Sequence, residues 1–293
     1  MKKILIPAIA MLALTGCQKA EPAKEPAAEG LDTITATIDD QTKAHLEGLK
    51  GYWDANDQIT LSPQSATAAA GAIFTTEAGG ASATFTGTFP ETLTNGKYCA
   101  FYPVSALPNG ENQVWNPGGG DPCKINVKLP QSQTVSEIAD GVYMDPSVLW
   151  LGGYSTSQSI HFEPLLSYIK FEFPANAEYK LKKVRLATSG IIISTNNTAA
   201  VSYDAESAKW TYEFSGSNAS VYIQNTDGFA PGTYYIGFRP LANPTDPSKT
   251  YNVTIALTKV GGSDGKLYSK TIEGINTKAG TIYNLGTLPT SFQ

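Results

Sequence analysis

Few side chains in this 293-residue chain could do covalent or acid–base chemistry: three cysteines, two histidines and scattered carboxylates. His45 and His161 have no second histidine or cysteine at metal-ligand spacing, so neither predicts a metal centre. No serine stands in the strand-to-helix turn of a hydrolase nucleophile, so a Ser-His-Asp triad is not expected. Asp54 and Asp57 flank a turn, but the glycine and closing glutamate of a calcium loop are missing, and capping of that turn is the better account. Gly118-Gly119-Gly120 lacks the lysine and the strand–helix setting of a phosphate loop and reads as a loop tip. The pattern therefore predicts no catalytic residue, no metal and no cofactor. What remains is sulfur. By alternation Cys99 shares a strand face with Phe101, and Cys123 shares one with Ile125, Val127 and Leu129, so both thiols point into a core. An oxidising compartment would allow them to bond, and two buried thiols fit the pattern equally well.

The third cysteine closes a leader. Lys2 and Lys3 precede the apolar run Ile4 to Leu14, which is too short to span a membrane, and small residues follow at once. Leu14-Thr15-Gly16-Cys17 resembles the lipobox of bacterial lipoproteins. That resemblance implies a signal peptide over residues 1–16, lipidation of the Cys17 thiol and an outer-membrane anchor at the cell surface. Several acyl chains hold a protein at a membrane stably where one binds only reversibly. Residues 17–30 are Ala, Glu, Lys and Pro with no large apolar side chain, a flexible tether.

The elements that would position any site lie beyond Gly30. About 260 residues exceed the usual size of one core, so two domains are expected, over 31–155 and 156–293. Only 16% of residues are charged, while Gly, Tyr and Pro number 27, 15 and 18, the palette of strands and turns. Without Lys2 and Lys3, 19 basic residues stand against 26 acidic ones, a net charge of −7. With Arg185 and Arg239 the only arginines, the chain offers no footprint for nucleic acid. Thr33 to Ile38 alternates as a strand with Ile34, Ala36 and Ile38 on one face. Further strands are expected at 58–61, 72–75, 83–89, 97–102, 114–115 and 124–129. Residues 130–145 read as a long surface connection with at most a helical turn near 135–138. A second set begins near Ser159 and runs through 165–173, 181–188, 191–194, 200–203, 210–214, 220–224, 232–240, 251–260, 266–272 and 281–288. No stretch has apolar residues three and four apart over a dozen positions, so long helices are not expected. The fold class is all-β, and the Gly152-Gly153 turn marks the boundary between lobes.

Several segments together resemble the fimbrillin-like family of anaerobic gut and oral bacteria. They are Thr33 to Ile38 with Thr42-Lys43 behind it, Tyr52-Trp53 with Asp57-Gln58-Ile59, and Tyr98 to Pro103. Leu129-Pro130-Gln131 with Met144-Asp145, the run Ile160 to Phe171, and Ala279 to Gly286 complete the series. The resemblance implies two transthyretin-like β-sandwich domains in tandem and a non-enzymatic subunit of a surface fibre, with a host or bacterial surface receptor as a further partner. It implies cleavage after the first strand and replacement of that strand by one from another subunit. A sheet short of one strand exposes unpaired backbone groups beside a strip of core, and strand addition satisfies both. Here Ile34, Ala36 and Ile38 would belong to the removable strand, and the tail with Ile282, Leu288 and Phe292 to the donor. The family's cut often follows arginine. This chain has none before Arg185, so Lys43 or Lys50 would have to serve.

The aromatics support a second reading, a lipid-anchored glycan-binding protein. Trp53, Trp115, Trp150 and Trp210 could present stacking faces, and Trp115, in the Gly/Pro-rich stretch 108–122, is the one expected to be exposed.

Overall fold

The computed structural model of the protein describes residues 32–38, 51–63, 72–88, 97–108, 123–195, 199–214, 216, 218–242, 248–261 and 266–292. Among them there is no α-helix, only short 3-10 turns such as Val104–Ala106 and Pro146–Val148. The chain is all-β. Its first strands are β1 (Asp32–Ile38), β2 (Gln58–Pro63), β3 (Ala72–Thr76), β4 (Ser82–Gly87) and β5 (Tyr98–Tyr102). The middle supplies β6 (Cys123–Val127), β7 (Ser132–Gln133), β8 (Ser136–Ala139), β9 (Val142–Met144), β10 (Leu151–Ser155) and β11 (Ser159–Pro164). Then come β12 (Ser167–Phe173), β13 (Leu181–Thr188), β14 (Ala199–Asp204), β15 (Lys209–Glu213) and β16 (Ser220–Gln224). The last are β17 (Gly232–Phe238), β18 (Tyr251–Lys259), β19 (Lys266–Ile275) and β20 (Ile282–Thr287).

Seven strands close into a barrel in the order β1-β11-β10-β5-β2-β3-β4. Period-two alternation turns one set of side chains inward: Ile34, Ala36, Ile59, Leu61, Phe74, Phe85, Ala100, Ile160 and Phe162 are all inaccessible to solvent in its core. The second lobe has two five-stranded sheets, β20-β12-β17-β9-β8 and β19-β18-β13-β16-β7, packed face to face. Between them lie Phe171, Val184, Leu186, Ile223, Ile236 and Leu257. β17 is buried on both faces, and β12 is so at Tyr168, because a third core covers their other side. There Tyr168 and Tyr235 meet Trp150, Phe101 and the small sheet β15-β14-β6. Past Tyr168 that cover ends, and Lys170 and Glu172 alternate with the buried Ile169, Phe171 and Phe173.

The sheets correct several sequence readings. The expected boundary at 155/156 falls inside the β10–β11 hairpin, and both of those strands belong to the barrel. The barrel's share of the chain thus runs on to Pro164. Gly152 and Gly153 are not a boundary turn but the middle of β10. A Cβ on Gly153 would stand 2.5 Å from Ile160 Cγ2 and 2.9 Å from the His161 carbonyl, so glycine there permits close strand packing rather than a bend. Residues 130–145 are likewise no simple surface connection. They thread through the second lobe as β7, parallel to β16, and β9, parallel to β17, with β8 paired on β9. Met144 is buried, and residues 191–194 form no strand.

Gln133 explains how a two-residue strand can hold this course. Its side chain is 1% exposed. Its Nε2 donates to the Gly237 carbonyl, and its Oε1 accepts from the Gly237 N–H at 3.1 Å. The amide stands in for a missing strand beside β17. Gln133→Leu keeps the volume but strands both Gly237 groups, each costing about 1–3 kcal/mol. A urea midpoint lowered accordingly, against an unchanged midpoint for the exposed Ser132→Ala, is the expected result.

Candidate functional site

The segment singled out in the sequence, β1, occupies a slot between two strands of the barrel. It pairs antiparallel with β4 from Asp32↔Gly87 to Thr37↔Ser82, and parallel with β11 from Thr35↔Ser159 to Ile38↔Phe162. Both of its edges are therefore satisfied. Ile34 and Ala36 are wholly buried and Ile38 nearly so, while Thr35 faces solvent. Further bonds latch the strand. Trp53 Nε1 donates to the Ala36 carbonyl at 3.1 Å, and Thr37 Oγ1 lies 3.2 Å from His161 Nδ1 on β11.

The Trp53 latch is itself built by local sequence. An isolated antiparallel bridge to Gly80 holds Trp53 in place. The following turn is closed by the Asp54 N–H donating to Asp57 Oδ2 at 2.7 Å, the capping role expected of that aspartate. Asp57 Oδ1 also accepts from the Tyr102 hydroxyl at 3.3 Å. The indole then meets Phe85, Phe162 and Tyr102 edge-on, at ring-centre distances of 5.0, 5.1 and 5.5 Å. Such edge-to-face contacts add to the area buried. One tryptophan thereby ties β1, β4, β5 and β11 to a single point.

The other expected site residues fall elsewhere. The tail does not stand free: β20 pairs parallel with β12 of its own chain, with Ile282 opposite Tyr168. Beyond it the Leu288 N–H donates to the Glu172 carbonyl, and Phe292 packs on Tyr179 and Tyr268 at 5.0 and 5.5 Å. Ile282, Leu288 and Phe292 are half-buried, so in this structure the tail seals its own sandwich. Cys99 on β5 and Cys123 on β6 form a disulfide with Cα atoms 5.9 Å apart, in the core shared by Phe101, Ile125, Val127 and Leu129. Cys17, His45, Lys43, Lys50, Trp115 and Gly118 to Gly120 lie outside the described residues. Trp53 and Trp150 are buried, which leaves Trp210 as the half-exposed tryptophan among the described residues. No group of three metal-ligating side chains gathers among the described residues. Sequence reasoning missed the Trp53–Ala36 latch, because a side-chain bond to a backbone carbonyl leaves no trace in residue type.

Comparisons with solved structures return proteins of low identity. A candidate cell adhesion protein of Bacteroides ovatus is 15% identical, with 87% of this chain and 91% of that one covered and a TM-score of 0.47. Another from Bacteroides fragilis is 14% identical, with 80% and 81% covered and a TM-score of 0.38. The fimbrial anchor protein Mfa2 of Porphyromonas gingivalis is 12% identical, with 81% of each chain covered and a TM-score of 0.33. No curated protein matches the sequence significantly. Residues 1–18 match the prokaryotic membrane lipoprotein lipid attachment site. Cys17, the residue expected to be lipidated, is the one cysteine in that stretch.

Proposed function

We propose that the protein is a non-enzymatic subunit of a surface fibre, delivered to the outer membrane as a lipoprotein, in which β1 is the exchangeable strand. The observation that carries this reading is the position of β1. It is the first described strand after the lipid attachment site, and it fills the barrel core with Ile34, Ala36 and Ile38. The connection from β1 to β2 contains Lys43 and Lys50. A cut there would separate lipid and β1 from the rest of the chain as one piece. The vacated slot would expose a strip of core and the facing edges of β4 and β11, a receptor for a strand of another subunit. Because β1 runs antiparallel to one neighbour and parallel to the other, a donor of either direction finds one antiparallel edge.

The donor side of the scheme demands more. Ile282, Leu288 and Phe292 would have to leave β12 and the Tyr179–Tyr268 contacts before entering another subunit. Adhesion to a host or bacterial surface would follow from the assembled fibre. The test is limited digestion of the folded, non-lipidated chain with a lysine-specific protease, followed by size-exclusion chromatography. Cleavage between β1 and β2 with growth of a ladder of oligomers is expected. A chain that is cut there and stays monomeric, with the β1 fragment released, would sink the strand-exchange reading.

A further inference from the structure

A second feature, apart from the β1 slot, is a cleft of about 450 Å³ where β11, the β14–β15 hairpin and the segment before β20 meet. Glu163, Lys209, Trp210, Tyr212, Asn276 and Lys278 line it. The indole of Trp210 is fixed from several sides. Its Nε1 donates to Glu163 Oε1 at 2.7 Å, and Tyr203 lies against it at 5.1 Å. Below it, Gly152 makes room, since a Cβ there would stand 2.7 Å from the ring. Tyr212 is anchored by donating its hydroxyl to the Leu165 carbonyl at 2.7 Å, and burial, reinforced by the charge of Glu163, pushes its pKa up and keeps it a donor. Asn276 is held by its Nδ2 on the Lys249 carbonyl at 3.2 Å.

The charges in the cleft run against those of the chain. The protein has a net charge of −5, yet the cleft carries two exposed ammonium groups against one carboxylate. The carboxylate is engaged by the indole, while neither Lys209 nor Lys278 forms an ion pair with a described residue. On the neighbouring strands Lys124 and Glu213 do pair, at 2.9 Å. A rigid aromatic wall, an amide and a carboxylate beside two cations with no ion pair to a described residue form a small set of convergent polar groups in a mostly apolar hollow. A pyranose that carries an acid group would suit such a site, with its apolar C–H face for the wall and its charge for the lysines.

We propose that this cleft binds an acidic saccharide through stacking on Trp210 and charge pairing with Lys209 and Lys278. Because the wall is already fixed, binding loses little side-chain entropy. The site does not depend on strand exchange, since it is complete with β1 in its slot.

The test is calorimetric titration of the mature, non-lipidated chain with a sialylated trisaccharide, a uronic-acid disaccharide and the neutral counterpart of each. Binding of at least one acidic sugar with Kd on the order of 1 mM or tighter is expected, weakened by added salt. Lys278→Ala, an exposed change, should weaken it about tenfold with the urea midpoint unchanged. Trp210→Phe, which keeps a ring but drops the Nε1 donor, should weaken it as well. Should Trp210→Phe destabilise the fold, Lys278→Ala decides alone. No binding by any of the four sugars, equal binding of the neutral counterparts, or affinity unmoved by Lys278→Ala would each overturn the proposal.

Discussion

Ala36→Asp is expected to unfold the barrel, while Thr35→Asp one residue away leaves it nearly untouched. Ala36 has no solvent exposure and packs opposite Ala83 on β4 and Ile160 on β11. A carboxylate there would be buried with no cation among the described buried side chains of the barrel. Such a charge costs several kcal/mol even after relaxation, against a total stability of about 5–15 kcal/mol for an ordinary domain. Thr35 points to water, and a charge there should change stability by about 0.5 kcal/mol or less. Urea denaturation followed by tryptophan fluorescence reads the contrast directly. Equal tolerance of the two substitutions would mean that β1 does not sit in the barrel in this register.

Trp53→Ala should have the next largest effect, and it reaches β1 from the other side. The substitution removes a wholly buried ring with three edge-on aromatic neighbours, a change that costs about 3–5 kcal/mol. It also leaves the Ala36 carbonyl without the indole donor. Trp53→Phe separates the two terms in part, since it keeps most of the apolar volume and loses the donor, whose removal costs about 1–3 kcal/mol. Both variants loosen the hold on β1, so lysine-specific cleavage between β1 and β2 should be faster than in the parent, in the order Trp53→Ala, then Trp53→Phe. A Trp53→Ala chain with the parent's urea midpoint and cleavage rate would show that the latch contributes nothing.

These two residues also show where sequence reading succeeds and stops. The inward set Ile34, Ala36 and Ile38 was legible because side chains alternate across a strand by local geometry alone. The shared core of Cys99 and Cys123 was legible for the same reason, whereas whether they bond was left open, since a disulfide depends on how two separate strands come together. Strand existence was readable for most of the second lobe, where long alternating runs such as Tyr251 to Lys259 leave little choice. The segment 130–145 was misread because its strands are two to four residues long, too short for a period to appear. Gly152-Gly153 was misread because glycine signals both a turn and a place where neighbours come close, and only the neighbours tell which.

The sequence by itself determined that residues 1–18 carry a lipoprotein lipid-attachment motif, that the chain is all-β, and which face of β1 is apolar. The tertiary structure decided who pairs with whom. β1 lies beside β11 although Thr37 and His161 are 124 residues apart, and the tail lies on β12 although Thr287 and Glu172 are 115 apart. It also decided that Trp210 and Lys278, from distant segments, share one cleft. The division has a physical cause. Alternation and chain polarity are properties of consecutive residues, while backbone groups on a strand edge are the same for every sequence, so the choice of partner is made only when all the apolar faces are buried together.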